Sequence, residues 1–181
     1  MTKRTIPQRT SFFLAVEGEG EQSFIKWLQE LSDQKGLHIN LDCKPLGGGG
    51  YKSMLASTVR YSKRKEKKNT ILLVDADRSI GDDGWTIAKL KEEANKKNIM
   101  VCIQSPNQEG LLLRMFTGNE HLQPNKENVR RQLLSLWPEY KKPVDARILF
   151  RKFTLLDLHR VAKVDVELGE LLKVIGLLRK N

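Results

Sequence analysis

Four carboxylates in this chain follow apolar runs, and that placement points to metal chemistry. Glu17 ends the run Phe12 to Val16 in "VEGEGE", and Asp75 and Asp77 end "ILLV" in "DAD". Glu109 comes shortly after "IMVCIQ". If these runs are strands of one open parallel sheet, the four residues gather at its carboxyl edge, where the functional groups of such sheets collect. Carboxylates brought together repel strongly at low effective dielectric. They coexist when one holds a proton or when a cation neutralises the group. A hard divalent ion with oxygen ligands, Mg²⁺ or Mn²⁺, is the economical solution. Glu19 and Glu21 read instead as favourable charges at a helix N-terminus.

The elements that must hold these residues follow from periodicity. Phe12 to Val16, His38 to Cys43, "TILLVDAD" and "IMVCIQ" read as strands. Between them, Glu21 to Lys35 carries Phe24, Trp27, Leu28 and Leu31 at helical spacing and stops at Gly36. Helices are also expected over Lys52 to Lys67 and Trp85 to Asn98, with Asp83 of "GDDG" near the cap of the latter. Strands alternating with helices imply an α/β fold with a mainly parallel sheet of about four strands and helices on both faces. From Gln108 onward the pattern turns helical: "EGLLLRMF", Lys126 to Trp137, then Leu156 to Leu178. "PEYKKP" interrupts this tail, and "ARILFRKF" fits a short strand or a helix start. The expected organisation is an α/β domain over 11–122 and a helical C-terminal extension over 123–181 packed on the same domain.

Charge says what such a domain would meet. Lys+Arg 32 against Asp+Glu 22 gives a net charge of +10, which suits a polyanionic partner, nucleic acid first. The run "RYSKRKEKK" concentrates Lys63, Arg64, Lys65, Lys67 and Lys68, suited to sequence-independent phosphate contacts. "LGGGGYKS" misses the G-x-x-x-x-G-K-[ST] frame, because Leu46 and Tyr51 stand where glycines belong, so a Walker loop is rejected. The amides of Gly47 to Gly50, with Lys52 and Ser53, remain candidates to grip a backbone phosphate, with a plain flexible turn as the alternative. Cys43 and Cys102 stand alone, which fits a reducing cytoplasm and argues against structural zinc. The basic start "MTKRTIPQRT" lacks the pattern of a signal, and no apolar stretch reaches membrane-spanning length.

Ordered together, the motifs resemble a known family. "VEGEGE" is similar to the first motif of Toprim domains, E-G-x-x-[DE] after a strand, with Glu17 and Glu21 at its acidic positions. "LLVDADR" resembles the second, D-x-D, with Asp75 and Asp77. The short chain and "SPNQEGLLLRMF" are most similar to RloB-like proteins, small Toprim proteins of restriction and abortive-infection defence loci. Their third motif resembles S-N-P-x-F-E-x-W-L-L-L-H-F. Ser105, Pro106 and Glu109 fit it, while Gln108 replaces the aromatic, Leu111 the tryptophan and Met115 the histidine. The resemblance covers roughly Phe12 to Phe116.

That resemblance implies a metal-dependent nuclease. Asp75 and Asp77 would be the principal Mg²⁺ or Mn²⁺ ligands, Glu17 the general base or a second-metal ligand, and Glu109 a further ligand. It also implies antiviral defence. A chain of 181 residues without an ATPase module could depend on a larger partner, an ATPase encoded nearby, for targeting or activation. Two other classes compete. One is a non-catalytic basic nucleic-acid-binding subunit of a defence complex. The other is a haloacid-dehalogenase-type phosphatase with Asp75 as nucleophile and Asp77 as acid. The second leaves "VEGEGE" unexplained, and its motif normally follows the first strand of the core.

Overall fold

Four parallel strands pair in the order β2-β1-β3-β4, in a computed structural model that describes residues 9–64, 69–78 and 84–179. They are β1 (Thr10–Val16), β2 (Ile39–Pro45), β3 (Asn69–Asp75) and β4 (Ile99–Gln104). Central strands buried on both faces read as unbroken apolar runs, and β1 and β3 do so. Edge strand β2 alternates, with Ile39 and Leu41 buried and Asn40 exposed.

The two sheet faces bury different partners. Phe13, Ala15, Leu72 and Val74 pack against α2 (Tyr51–Arg64) and α3 (Ile87–Asn95). Phe12, Leu14, Val16, Ile71 and Leu73 pack against α1 (Glu19–Gln34) and α4 (Gln108–Arg114). The tail helices α5 (Val129–Leu136), α6 (Ala146–Lys152), α7 (Leu155–Ala162) and α8 (Val166–Val174) join this second core through Leu133, Leu149, Leu158 and Leu172. The expected α/β architecture and its helical C-terminal part are both present. Rings seal the tail to α1: Phe153 lies 6.4 Å from Trp27 and 5.8 Å from Trp137.

Local chemistry sets the boundaries. Gly36, at φ +68, ends α1 in a conformation that costs a side chain energy. The N-cap of α3 is Thr86, whose hydroxyl accepts from the Lys89 amide at 3.2 Å. Asp83, expected near that cap, lies outside the described residues. "ARILFRKF" resolves as helix α6. The stretch Leu156 to Leu178 divides into α7 and α8 because Asp165 caps a new helix, accepting from the Leu168 amide at 3.0 Å. The outer edge of β4 is covered by α8: the Ile103 amide donates to the Glu167 carboxylate at 3.2 Å. That bond satisfies an edge-strand donor which would otherwise invite another strand. Among the described residues no helix is long and apolar enough to cross a membrane.

Candidate active site

Register brings the acidic motifs together. Val16 pairs with Leu73, so Glu17, one residue on, and Asp75, two residues on, leave the sheet at the same edge. Glu17 and Asp75 are each 5% exposed. The turn after β1 is held by the Glu21 carboxylate, which accepts the Gly18 amide at 2.9 Å. Glu19 is exposed, as a first-turn charge should be. Glu21 does more than cap: it is buried and faces the same cluster.

Asp75 is the centre of that cluster. Burial pushes its carboxyl from 3.8 up to about 8, and the negative charges of Glu21, Glu17 and Asp77 push the same way, against Lys142. Its Oδ1 is buried without a hydrogen-bond partner. The backbone around it is rigid, because the Tyr51 phenol at the start of α2 donates to the carbonyls of Asp75 at 3.0 Å and Ala76 at 3.1 Å. Asp77 sits in the short 3-10 turn that follows β3. Its amide donates to the Pro106 carbonyl at 3.2 Å, and its carboxylate lies 3.5 Å from the Asn107 amide and 3.6 Å from the Lys126 ammonium.

Glu109 is buried in the first turn of α4 and held by a cation from the tail. The Lys142 ammonium lies 3.1 Å from one of its oxygens and 3.2 Å from the other. Burial alone would depress the Lys142 pKa, yet Glu109, Glu21 and Asp75 outweigh it and hold the ammonium charged. Lys142 thus links Glu109 to the other carboxylates. Burial, then the Glu109 charge, pushes the neighbouring Tyr140 phenol upward.

Three members of this site are not singled out by sequence. Lys142 reads as one of several basic pairs, because its position depends on the tail folding back over the sheet. Gln104 ends β4 directly opposite Asp75 in register. Side chains of paired residues leave the same face of adjacent strands, which lie about 5 Å apart. Gln104 is 3% exposed, and neither atom of its amide has a hydrogen-bond partner. A glutamine closing an otherwise apolar strand, beside a D-x-D strand, is the available signal. Tyr51, which fixes the end of β3, offers none.

The glycine loop serves a different end from the one expected. The Leu46 amide donates to the Val16 carbonyl at 2.9 Å, and the amides of Gly47 and Gly48 each donate to the Glu17 carbonyl at 3.1 Å. Those two donors hold the end of β1 and are not free for a phosphate. Gly47, Gly48 and Gly49 have φ of +81, +82 and +115, which explains the run of glycines. The Ser53 hydroxyl donates to the Gly50 carbonyl at 2.8 Å. Lys52 and Ser53 are exposed at the first turn of α2, on the carboxyl edge. Lys63 and Arg64 are exposed at its other end, about 17 Å away at helical rise. Lys65, Lys67 and Lys68 lie outside the described residues.

The donor chemistry of the cluster suits a hard cation: carboxylate oxygens only, with one buried oxygen of Asp75 unsatisfied. Among the described residues, however, no group of three or more His, Cys, Asp or Glu side chains is arranged to hold a metal ion. As placed, a proton on Asp75 and the Lys142 ammonium on Glu109 relieve the repulsion. Comparison with protein-family models, curated proteins and solved structures finds no significant match to the chain.

Proposed function

We propose that the chain is a metal-dependent nuclease of the Toprim class that hydrolyses phosphodiesters of DNA or RNA. The observation that carries this reading is Asp75: a buried carboxyl raised to about 8 by burial, Glu21, Glu17 and Asp77, with an oxygen left unsatisfied. Such perturbed groups concentrate where function needs them. Asp75 and Asp77 are the proposed ligands of Mg²⁺ or Mn²⁺, with Glu17 and Glu109 as further candidates. A bound divalent ion there supplies charge neutralisation on the phosphoryl oxygens and a water of lowered pKa.

The chain's own groups divide the remaining work. Glu17, fixed at the end of a central strand, is the candidate to take a proton from the attacking water. Gln104 lies opposite Asp75 in register, with an amide that no protein group engages. Lys126 and Lys142 stand against Asp77 and Glu109 before substrate arrives, so the acidic edge does not simply repel phosphate. Lys52 and the basic end of α2 offer sequence-independent contacts to the rest of the nucleic acid. A place in antiviral defence is part of the same proposal and rests on the motif resemblance alone.

A second reading is favoured by the Lys142–Glu109 ion pair and by the lack, among the described residues, of a ready three-carboxylate group. It is a nucleic-acid-binding subunit whose acidic edge is neutralised from within. Incubation of the purified chain with plasmid, single-stranded DNA and total RNA decides between them, in Mg²⁺, Mn²⁺ or EDTA. Metal-dependent cleavage that disappears in Asp75→Asn and Asp77→Asn supports the nuclease. Binding without cleavage under every condition supports the subunit, and wild-type cleavage by both variants removes the site assignment.

A further inference from the structure

A hollow of about 430 Å³ lies beside the carboxylates, toward the outer side of β4. That volume is within the range of small-molecule sites. Ala76, the residue between Asp75 and Asp77, forms part of its wall. Ile87, Ile103, Val164 and Val166 extend the apolar lining, and Gln123 and His121 are exposed polar groups on the same lining.

The charges around the hollow say what it would accept. Lys91 and Arg114 are positive, while Glu120, Asp165 and Glu167 are negative, so two against three leaves one net negative charge among these five. These charges are engaged by protein partners: Lys91 with Glu167, Arg160 with Glu120, and Arg114 with Asp165 at 2.6 Å. An anion gains nothing by entering. A neutral, flat group with apolar faces and polar edges matches such a lining, with isoleucine and valine side chains for its faces and the exposed Gln123 and His121 for its edges, whereas a phosphate does not.

We propose that this hollow is a nucleobase subsite, seating the base of the nucleotide whose phosphate lies at Asp75 and Asp77. The proposal rests on the nuclease reading and adds a substrate preference to it. A base can enter only when it is unstacked, so single-stranded or extrahelical nucleotides are favoured over paired ones. The carboxylates handle the phosphate, and the hollow, whose charges are paired within the protein, handles the base. The division follows from the charge on each side of Ala76.

The test is equilibrium binding, with Ca²⁺ replacing Mg²⁺, of a short single-stranded oligonucleotide carrying 2-aminopurine. The same oligonucleotide with an abasic site at that position is the control. The expected result is about tenfold tighter binding of the base-bearing strand, the scale of burying one base against aliphatic side chains, with a change in 2-aminopurine fluorescence. Val164→Trp, which fills the hollow, should abolish that preference and leave abasic binding unchanged. Should Val164→Trp melt below the wild type, Val166→Trp at a 74% exposed position replaces it. Equal binding of the two strands by the wild type, or equal weakening of both by the tryptophan, overturns the subsite. Cleavage without base preference would remove the subsite and keep the nuclease. Base preference without cleavage under any condition would remove the nuclease and keep the subsite.

Discussion

Arg114 and Asp75 are both buried ionisable side chains near the end of β4, and they are treated in opposite ways. The Arg114 guanidinium donates to Asp165 at 2.6 Å and to the Ser105 carbonyl at 2.9 Å, tying α4 to the cap of α8. Asp75 has Glu17, Glu21 and Asp77 for neighbours, a buried oxygen with no partner, and a carboxyl raised to about 8. One group is compensated, and the fold depends on it. The other is left uncompensated within a rigid frame, which natural proteins tolerate mainly where function requires it.

Opposite treatment predicts opposite consequences for stability, and this is the largest contrast expected. Arg114→Met leaves the Asp165 carboxylate, 14% exposed, without its cation, and removing one partner of a largely buried pair costs up to about 3–5 kcal/mol. Asp75→Asn should instead stabilise the protein above neutral pH while abolishing metal-dependent cleavage. The sign follows from linkage. Asp75 has a folded-state pKa of about 8 against 3.8 for the free group, so between those values the folded state binds more protons. Stability therefore falls as pH rises from about 4 to 8, by at most about 6 kcal/mol for a shift of that size. Urea denaturation of wild type, Arg114→Met and Asp75→Asn at pH 6 and 8 checks this. A wild type no less stable at pH 8 than the aspartate variant would break the contrast.

Saturating Mg²⁺ sharpens the same comparison. A divalent ion binds the deprotonated carboxylate, so it should raise the melting temperature more at pH 8 than at pH 6. That gain should vanish in Asp75→Asn and persist in Arg160→Lys, a change on the far side of the hollow. A melting temperature indifferent to Mg²⁺ and Mn²⁺ at both pH values would favour the non-catalytic reading.

Within the acidic edge, Glu17 and Glu109 should also differ. Glu17 directly ends β1, with its own carbonyl held by Gly47 and Gly48, so its side chain starts from a fixed point. Glu17→Gln is expected to lower the cleavage rate at least about a hundredfold, the scale of removing a general base. Glu109 sits on a short helix and is paired to Lys142. Glu109→Gln should mainly raise the Mg²⁺ concentration needed for half-maximal rate and leave the maximal rate within a few-fold. Equal rate losses in the two variants would place both in the same role.

One half of this comparison is legible in the sequence and the other is concealed. The E-G and D-x-D motifs can be placed because each ends an apolar run, and parallel strands deliver their carboxyl ends to one edge. All four strands are legible for the same reason. Lys142, Gln104 and Arg114 are not, because their roles depend on distant segments meeting in the fold. Lys142 meets Glu109 only after the tail crosses the second sheet face, and Arg114 meets Asp165 across two helices. The glycine loop misleads for a related reason: four glycines offer free amides on paper, but the end of β1 takes two of them. The tail reads as one amphipathic stretch because its apolar spacing continues through Asp165, whose capping of α8 interrupts the chain locally.

The smallest expected effect separates the acidic edge from the basic end of α2. Lys63 and Arg64 lie at the last turn of a helix whose first turn reaches the carboxyl edge. Its 14 residues span about 20 Å, more than two Debye lengths at physiological salt. These cations are too far from the carboxylates to touch a phosphate held there, but a strand or duplex is long enough to reach both places. Nearby, Arg60 and Lys44 lie over the Tyr61 ring at 5.2 and 5.5 Å, which extends the positive surface along the same helix. Replacing Lys63 and Arg64, together with Lys65, Lys67 and Lys68, by glutamine should weaken nucleic-acid binding. The dependence of log K on log salt should also flatten, by about one unit for each phosphate that the variant no longer neutralises. The maximal cleavage rate at saturating substrate should stay within about twofold, because these groups position the substrate and do not stabilise the transition state. Binding measured across a salt series decides the matter. An unchanged slope would mean that this end of α2 faces solvent or a protein partner, and that the nucleic acid follows the carboxyl edge alone.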